Sequence, residues 1–480
     1  MPHVHLPAGD VRVAIFNIRM PRSVRRPLFS ISEMEQYMTK LNFYNGLREI
    51  GGTFVEVETE QAKCMFDFGF GVVDRQDKTV RKRVDSCAAD YVALGMLTPA
   101  NGIYDKRTAD RFGLQAYGEC GKECFFLISH MHIDHMGGLG LLHPDIPVYM
   151  SEDSLRLYRR LEANGDVQDG PHANCVGIPY GKSFTVGDIS VKVLAIDHDV
   201  VGASGFLITT PDGTICYTGD YRFHGFHPEV TEDFAKHVQG ADVLITEGVT
   251  VSFDDVDMLS LEEPEDQGRT EEGLQEELRI LAANEEKLIV INPYNRNVER
   301  MHRFIGTLKE VGRTLVLDAV QADYVAEFYP EDRITVYEQS IHDEATRKKV
   351  QEHDWNVVGR DVLLAEPKSY VLQLDYTDIY ELIDLKDVTA IYLHMDGSPL
   401  GSYDPSYDKL YALLDVLQIP CEYKGTGGHA KPYYLRHVID TIAPGTLIPL
   451  HSFRPEQVMS EKAGARFLPK YGETFELRRQ

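Results

Sequence analysis

The run Ser129-His130-Met131-His132-Ile133-Asp134-His135-Met136-Gly137-Gly138 directly follows the apolar stretch Cys124-Phe125-Phe126-Leu127-Ile128. A short apolar run reads as a buried strand, and the residues behind it fall in the loop at its C-terminal end. Here that loop receives three imidazoles and a carboxylate within six positions. Neutral imidazole and carboxylate suit Zn²⁺ or a similar first-row dication. In a loop, His130 and His132 can face one ion while Asp134 and His135 face a neighbour. The competing reading, a histidine-rich surface turn, loses ground as the rest of the chain is read.

Three further candidates each follow an apolar, strand-like run: His198 in Asp197-His198-Asp199, Asp220 in Thr218-Gly219-Asp220-Tyr221-Arg222, and His451 in Pro449-Leu450-His451-Ser452. Singly, a strand-end histidine is more often structural, and a lone Asp there usually caps a turn. Together they complete a site. His130, His132 and His198 can hold a first ion, Asp134, His135 and His451 a second, with Asp220 between them. Two ions roughly 3.5–4 Å apart form a clamp for displacement at phosphorus or attack on a carbonyl. Asp67, ending its own strand, is a candidate to orient a ligand histidine from behind.

The chain has 480 residues, enough for two or three domains. No apolar stretch reaches bilayer-spanning length, and the N-terminus lacks a secretory pattern, so no membrane partner and a cytoplasmic location are expected. Seven scattered cysteines fit reduced thiols. Cys120 and Cys124 lack a second thiol pair that would make them half of a zinc site. The net charge of −26 opposes a polyanion, although nine acidic residues between Asp254 and Glu272 concentrate part of it.

Strands are expected at 11–16, 53–58, 64–69, 190–196, 205–210 and 214–218, with a helix over 154–161 and another over 233–238. From about residue 270 the rhythm changes. A helix over 271–284 with Thr270 as N-cap, a strand over 287–291, a helix over 297–311 and a strand over 314–317 imply a parallel sheet covered on both faces. Metal-type histidines return only near the C-terminus, so this second unit reads as an insertion: 1–250 and 421–480 form one domain, 251–420 the inserted one.

His-x-His-x-Asp-His with its trailing Gly-Gly, followed by the later His, Asp and His elements, resembles the metallo-β-lactamase superfamily. Leu244-Ile245-Thr246-Glu247, Thr426-Gly427-Gly428-His429-Ala430 and Ile448-Pro449-Leu450-His451, the last two histidines 22 residues apart, resemble the β-CASP branch and its RNase J-like members. The resemblance implies an α/β fold, an αββα sandwich with an inserted β-CASP domain (a parallel sheet flanked by helices) over its cleft, and phosphodiester hydrolysis. It matches Asp67 to the first family motif and His130, His132, Asp134 and His135 to the second. His198 matches the third, Asp220 the fourth, and Glu247, His429 and His451 the three β-CASP motifs. It also implies that His429 contacts the scissile phosphate and that His451 ligates metal. The chain departs from the pattern at Gly427, where the family has a small hydroxyl residue; Thr426 is the candidate substitute. It also ends soon after His451, so the C-terminal domain of RNase J is not expected.

The activity expected is ribonuclease, endo- or 5′-exonucleolytic, on single-stranded RNA, using water activated by two divalent ions, Zn²⁺ first and Mn²⁺ second. Asp134, His429 and Glu247 are the catalytic candidates. Arg296 and Lys424, with Arg300, Lys431 and Arg454, are candidates to meet phosphate. Two alternatives are carried: a hydrolase of DNA or a small phosphodiester or ester, favoured by the acidic charge, and a binding protein without catalysis, disfavoured because every ligand position is filled. Oligomeric state is left open, a homodimer included.

Overall fold

The computed structural model describes residues 38–71, 82–83, 85–264 and 268–478, so the strand expected at 11–16 lies outside the described residues. Three seven-stranded sheets organise them. The first runs, in spatial order, Glu473–Leu477, Thr39–Asn45, Phe54–Glu58, Ala62–Phe66, Glu123–Leu127, Val148–Ser151 and Cys175–Ile178. The second runs Ala465–Arg466, Thr446–Pro449, Val243–Thr246, Gly213–Tyr217, Ser204–Thr210, Ile189–Ala195 and Ser183–Val186.

These two sheets pack face to face. Leu41, Val55, Phe66 and Phe125 of the first and Val191, Phe206, Ile215, Ile245 and Ile448 of the second share one fully buried cluster. Phe66 stacks on Tyr217 across the interface, centroids 4.8 Å apart. Helix Glu152–Ala163 covers the outer face of the first sheet with Leu157, Tyr158 and Leu161. Pro228–His237 and Pro432–Ile442 cover the second with Phe234, Leu435, Val438 and Ile439. The result is the expected αββα sandwich.

The third sheet is parallel throughout, ordered Asn356–Val358, Thr335–Tyr337, Thr314–Leu317, Tyr370–Gln373, Leu288–Pro293, Thr389–Met395 and Cys421–Tyr423. Its central strands, Leu288–Pro293 above all, are buried on both faces, which is why they read as continuous apolar runs. Ile289 and Ile291 face Leu274, Val298 and Phe304, while Leu288 and Val290 face Leu363, Leu410 and Leu414. Helix Glu271–Asn284 starts where the sequence placed it, with the Thr270 hydroxyl accepting from the Gly273 N–H at 3.0 Å.

After this excursion the chain returns to both sheets of the sandwich. Thr446–Pro449 pairs in parallel with Val243–Thr246, and Glu473–Leu477 pairs antiparallel with Thr39–Asn45. Ala62–Phe66 and Glu123–Leu127 are parallel, as are Gly213–Tyr217, Val243–Thr246 and Thr446–Pro449. Residues just past their C-terminal ends therefore gather at one rim, where α/β folds commonly hold ligands. The inserted sheet sends Tyr294 to the same place, its ring 5.0 Å from that of His132.

Candidate metal centre

Each strand that ends at this rim delivers one or more polar side chains. Asp67 follows Ala62–Phe66, His130 follows Glu123–Leu127, His198 follows Ile189–Ala195, Asp220 follows Gly213–Tyr217, Glu247 follows Val243–Thr246 and His451 follows Thr446–Pro449. Asp67 and His451 adopt left-handed backbone, φ 54° and 52°, a conformation costing roughly 1–3 kcal/mol per residue that surrounding structure must offset.

Asp67 is fully buried and fully used. Its carboxylate accepts from the Ser129 N–H at 2.7 Å, the Ser129 hydroxyl at 2.9 Å, His135 Nδ1 at 2.8 Å and the Tyr217 hydroxyl at 2.5 Å. That turns His135 Nε2 toward Asp220 Oδ2, 3.1 Å away. The Ser129 hydroxyl, having donated its proton to Asp67, takes His130 Nδ1 at 2.9 Å. His198 Nδ1 donates to the Gly428 carbonyl at 2.6 Å, which points Nε2 at His132 Nδ1, 3.3 Å away. The pattern repeats: one ring nitrogen is engaged behind, the other is free in front.

His451 differs. The Gly51 N–H lies 3.1 Å and the Thr53 hydroxyl 3.3 Å from its Nδ1, while its Nε2 lies 3.3 Å from Asp220 Oδ2.

Asp220 Oδ2 is the meeting point. It lies 3.1, 3.3 and 3.8 Å from the Nε2 atoms of His135, His451 and His130, and 3.7 Å from His429 Nδ1. His429 Nδ1 is 3.0 Å from Glu247 Oε2, and Glu247 Oε1 accepts the Tyr221 N–H at 3.0 Å. Burial, reinforced by its histidine neighbours, keeps His130 well below the usual imidazole range; burial likewise lowers His198. Burial alone would also lower His429, but Glu247 and Asp220 outweigh it and push the ring up to about 10.

The decisive observation is chemical. Nε2 of His130, His135 and His451 and Oδ2 of Asp220 are all buried without a hydrogen-bond partner. A buried polar atom left unpaired costs roughly 1–3 kcal/mol, so four in one place need a common partner. The donor set is imidazole and carboxylate, and the ligand atoms of His130, His132, His198 and Asp220 lie within 4.8 Å of one another, as do those of Asp134, His135 and His451. These residues fit a divalent metal centre.

Residues 125–274 match the family model described as a beta-lactamase superfamily domain. Ribonuclease J of Pyrococcus abyssi is 25% identical over 227 residues, covering 45% of this chain and 46% of that protein. Ribonuclease J of Thermus thermophilus is 22% identical over 352 residues, covering 68% of this chain and 57% of that protein. The chain is thus similar to ribonuclease J proteins, and its residues 125–274 to the beta-lactamase superfamily domain. It spans about half the length of the curated relatives it matches. A crystal structure of a protein of unknown function from Enterococcus faecalis V583 has 29% identity and a TM-score of 0.77, covering 92% of this chain and all of that one. Among the described residues, no helix is long and apolar enough to cross a membrane.

In the cleft, the residues nominated to meet phosphate have partners within the protein. The Thr426 hydroxyl accepts from Arg300 at 2.7 Å and donates to Glu271 at 3.2 Å, so it does not stand in for the hydroxyl missing at Gly427. Gly427 itself has φ +74°, and a Cβ there would meet nothing within 4 Å. The buried Arg296 guanidinium is spent on the Met131 carbonyl and Asp166. Arg300 is held by Glu271 and Asp396, Lys424 Nζ by Glu277 at 2.9 Å, and Arg454 by Asp255 at 2.7 Å. These cations hold the protein's own acids.

Sequence reasoning missed Asp199, whose Oδ1 is 3.1 Å from His132 Nε2. It also missed the buried Arg222 and Glu271, 2.8 Å apart. Arg222 and His224 both donate to the Gly427 carbonyl. Asp199, beside His198, carried the only available signal.

Proposed function

We propose that this protein is a divalent-metal-dependent phosphodiester hydrolase acting on single-stranded RNA, internally or from a 5′ end. The observation that carries the reading is the four buried, unpaired nitrogen and oxygen atoms of His130, His135, His451 and Asp220 converging beside the Glu247–His429 pair. His130, His132 and His198 would hold one ion, Asp134, His135 and His451 the other, with Asp220 facing both. Zn²⁺ is the first choice for so imidazole-rich a set, Mn²⁺ the second. Such a pair, when bound, makes water acidic and neutralises charge on phosphoryl oxygens.

The chain's own residues do the rest. Asp134, more exposed than Asp220, orients the attacking water and accepts its proton. Glu247, fixed by the Tyr221 N–H, keeps His429 protonated. His429 then donates a hydrogen bond to the phosphate or a proton to the leaving oxygen. The inserted segment, about residues 251–420, serves as a lid over the cleft.

A second reading has its own support. Arg296, Arg300, Lys424 and Arg454 are each paired with a carboxylate, and the net charge is −26, which favours DNA ends or a small phosphodiester over a long polyanion. Metal-loaded protein should be incubated with 5′-monophosphorylated RNA, single-stranded DNA and a chromogenic phosphodiester. Cleavage of RNA in preference to the other two is expected. Turnover of the small diester with RNA untouched would overturn the first reading in favour of the second.

A further inference from the structure

His130, His135 and His198 each have one ring nitrogen engaged, by the Ser129 hydroxyl, Asp67 and the Gly428 carbonyl, and His132 stands beside His130 and His198 in the same ligand cluster. Its Nδ1 points toward His198 Nε2 at 3.3 Å, so the two lone pairs face one another across the first ligand group. Its Nε2 points the other way, 3.1 Å from Asp199 Oδ1. Neither of those two atoms hydrogen-bonds elsewhere. Asp199 is 7% exposed, and the Gly428 backbone closes over it: a Cβ on Gly428 would lie 3.0 Å from Asp199 Oδ1 and 2.7 Å from His198 Cε1.

We propose that Asp199 is the positioning residue for His132, taking the Nε2 proton so that Nδ1 presents its lone pair to the first ion. The inference rests on the metal-centre reading above. An anionic acceptor behind a ligand histidine fixes the tautomer and ring orientation and makes the free nitrogen more basic. Asp67 does this for His135 from the opposite wall, and the Gly428 carbonyl does it for His198. His132 thereby becomes the Nδ1 ligand in a set whose other histidines offer Nε2.

The test measures metal, not turnover. Apo protein is titrated with Zn²⁺ against a competing chromophoric chelator for wild type, Asp199→Ala, Asp199→Asn and His132→Ala. Asp199→Ala should weaken the first site about 10–100-fold, the range typical for losing such a partner. Asp199→Asn, whose amide oxygen still accepts from Nε2–H, should recover most of that loss. The Co²⁺-loaded Asn variant should keep the wild-type visible band positions, since no ligand is removed. Should Asp199→Ala not fold, ¹⁵N-histidine NMR of the Zn²⁺-loaded wild type decides the case: His132 must show Nε2–H with a metal-bound Nδ1. Wild-type affinity in Asp199→Ala, shifted bands in the Asn variant, or a metal-bound His132 Nε2 each overturn the proposal. Wild type that takes up no ion sinks the metal-centre reading as well. Ordinary uptake that is lost in His132→Ala but kept in Asp199→Ala sinks this inference alone.

Discussion

Asp67 touches no solvent and accepts four hydrogen bonds, from two residues of the histidine loop's own wall and from Tyr217 of the facing sheet. Replacing it with Ala strands the Ser129 N–H, His135 Nδ1 and the Tyr217 hydroxyl in the core. Each buried orphan costs roughly 1–3 kcal/mol, so Asp67→Ala should lose about 3 kcal/mol or more in urea denaturation of metal-free protein. His451 supports a second expectation. Because the Asp134–His135–His451 group offers three ligand residues where the first group offers four, it should be the weaker of the two. Chelator titration should remove one ion before the other, and His451→Ala should retain about one ion per chain by elemental analysis. At this scale the sequence was most legible for side chains whose neighbours are set by strand ends. It was least legible for cations: nothing in Tyr294-Asn295-Arg296 shows that a carbonyl from residue 131 waits for the guanidinium.

Among the elements, the segment from Gly425 to His429 joins the inserted sheet to helix Pro432–Ile442 and threads between His198 and Arg222. Gly428→Ala would drive a methyl to 2.7 Å from the His198 ring, closer than side-chain carbons approach. Overpacking of this kind costs about 1–3 kcal/mol, and here the ring that must yield is a candidate ligand. A lowered Zn²⁺ affinity with the overall fold intact is expected, read by chelator competition and far-ultraviolet circular dichroism. A milder change, Thr270→Ala, removes the N-cap of Glu271–Asn284 and should cost about 1 kcal/mol in chemical denaturation.

Helices and parallel strands of the insertion were legible because apolar runs and caps are local signals. Strand Thr39–Asn45 was passed over although Leu41 and Phe43 alternate with polar residues, a weak pattern beside the richer runs nearby. The strand read at 64–69 lies at Ala62–Phe66, because the left-handed turn at Asp67 ends it early and composition does not reveal backbone angle.

Across the whole molecule, Arg222 of the sandwich and Arg300 of the inserted sheet's helix layer converge on Glu271, each at 2.8 Å, with Asp396 completing the group. Burial alone would raise the Glu271 carboxyl, but the two guanidinium groups outweigh it and hold it at about 2. A carboxyl depressed on folding stabilises the protein above its unfolded pKa, near 4.5, and that contribution disappears as pH falls toward 2. Glu271→Gln should therefore cost about 3 kcal/mol or more at pH 7, since it leaves two buried cations short of a partner. The gap between wild type and variant should close between about pH 4.5 and 2, followed by urea denaturation across that range. No sequence pattern announced this junction, because its members are 49 and 29 residues from Glu271 and meet only when both lobes are folded.

The strands Thr446–Pro449 and Glu473–Leu477 enter the sandwich only after the insertion has been made. On the ribosome, then, the strand that delivers His451 is still untranslated while the inserted sheet is being made. A nascent chain that stops short of residue 451 lacks one of the histidines that meet at Asp220, however much of the inserted sheet it already carries.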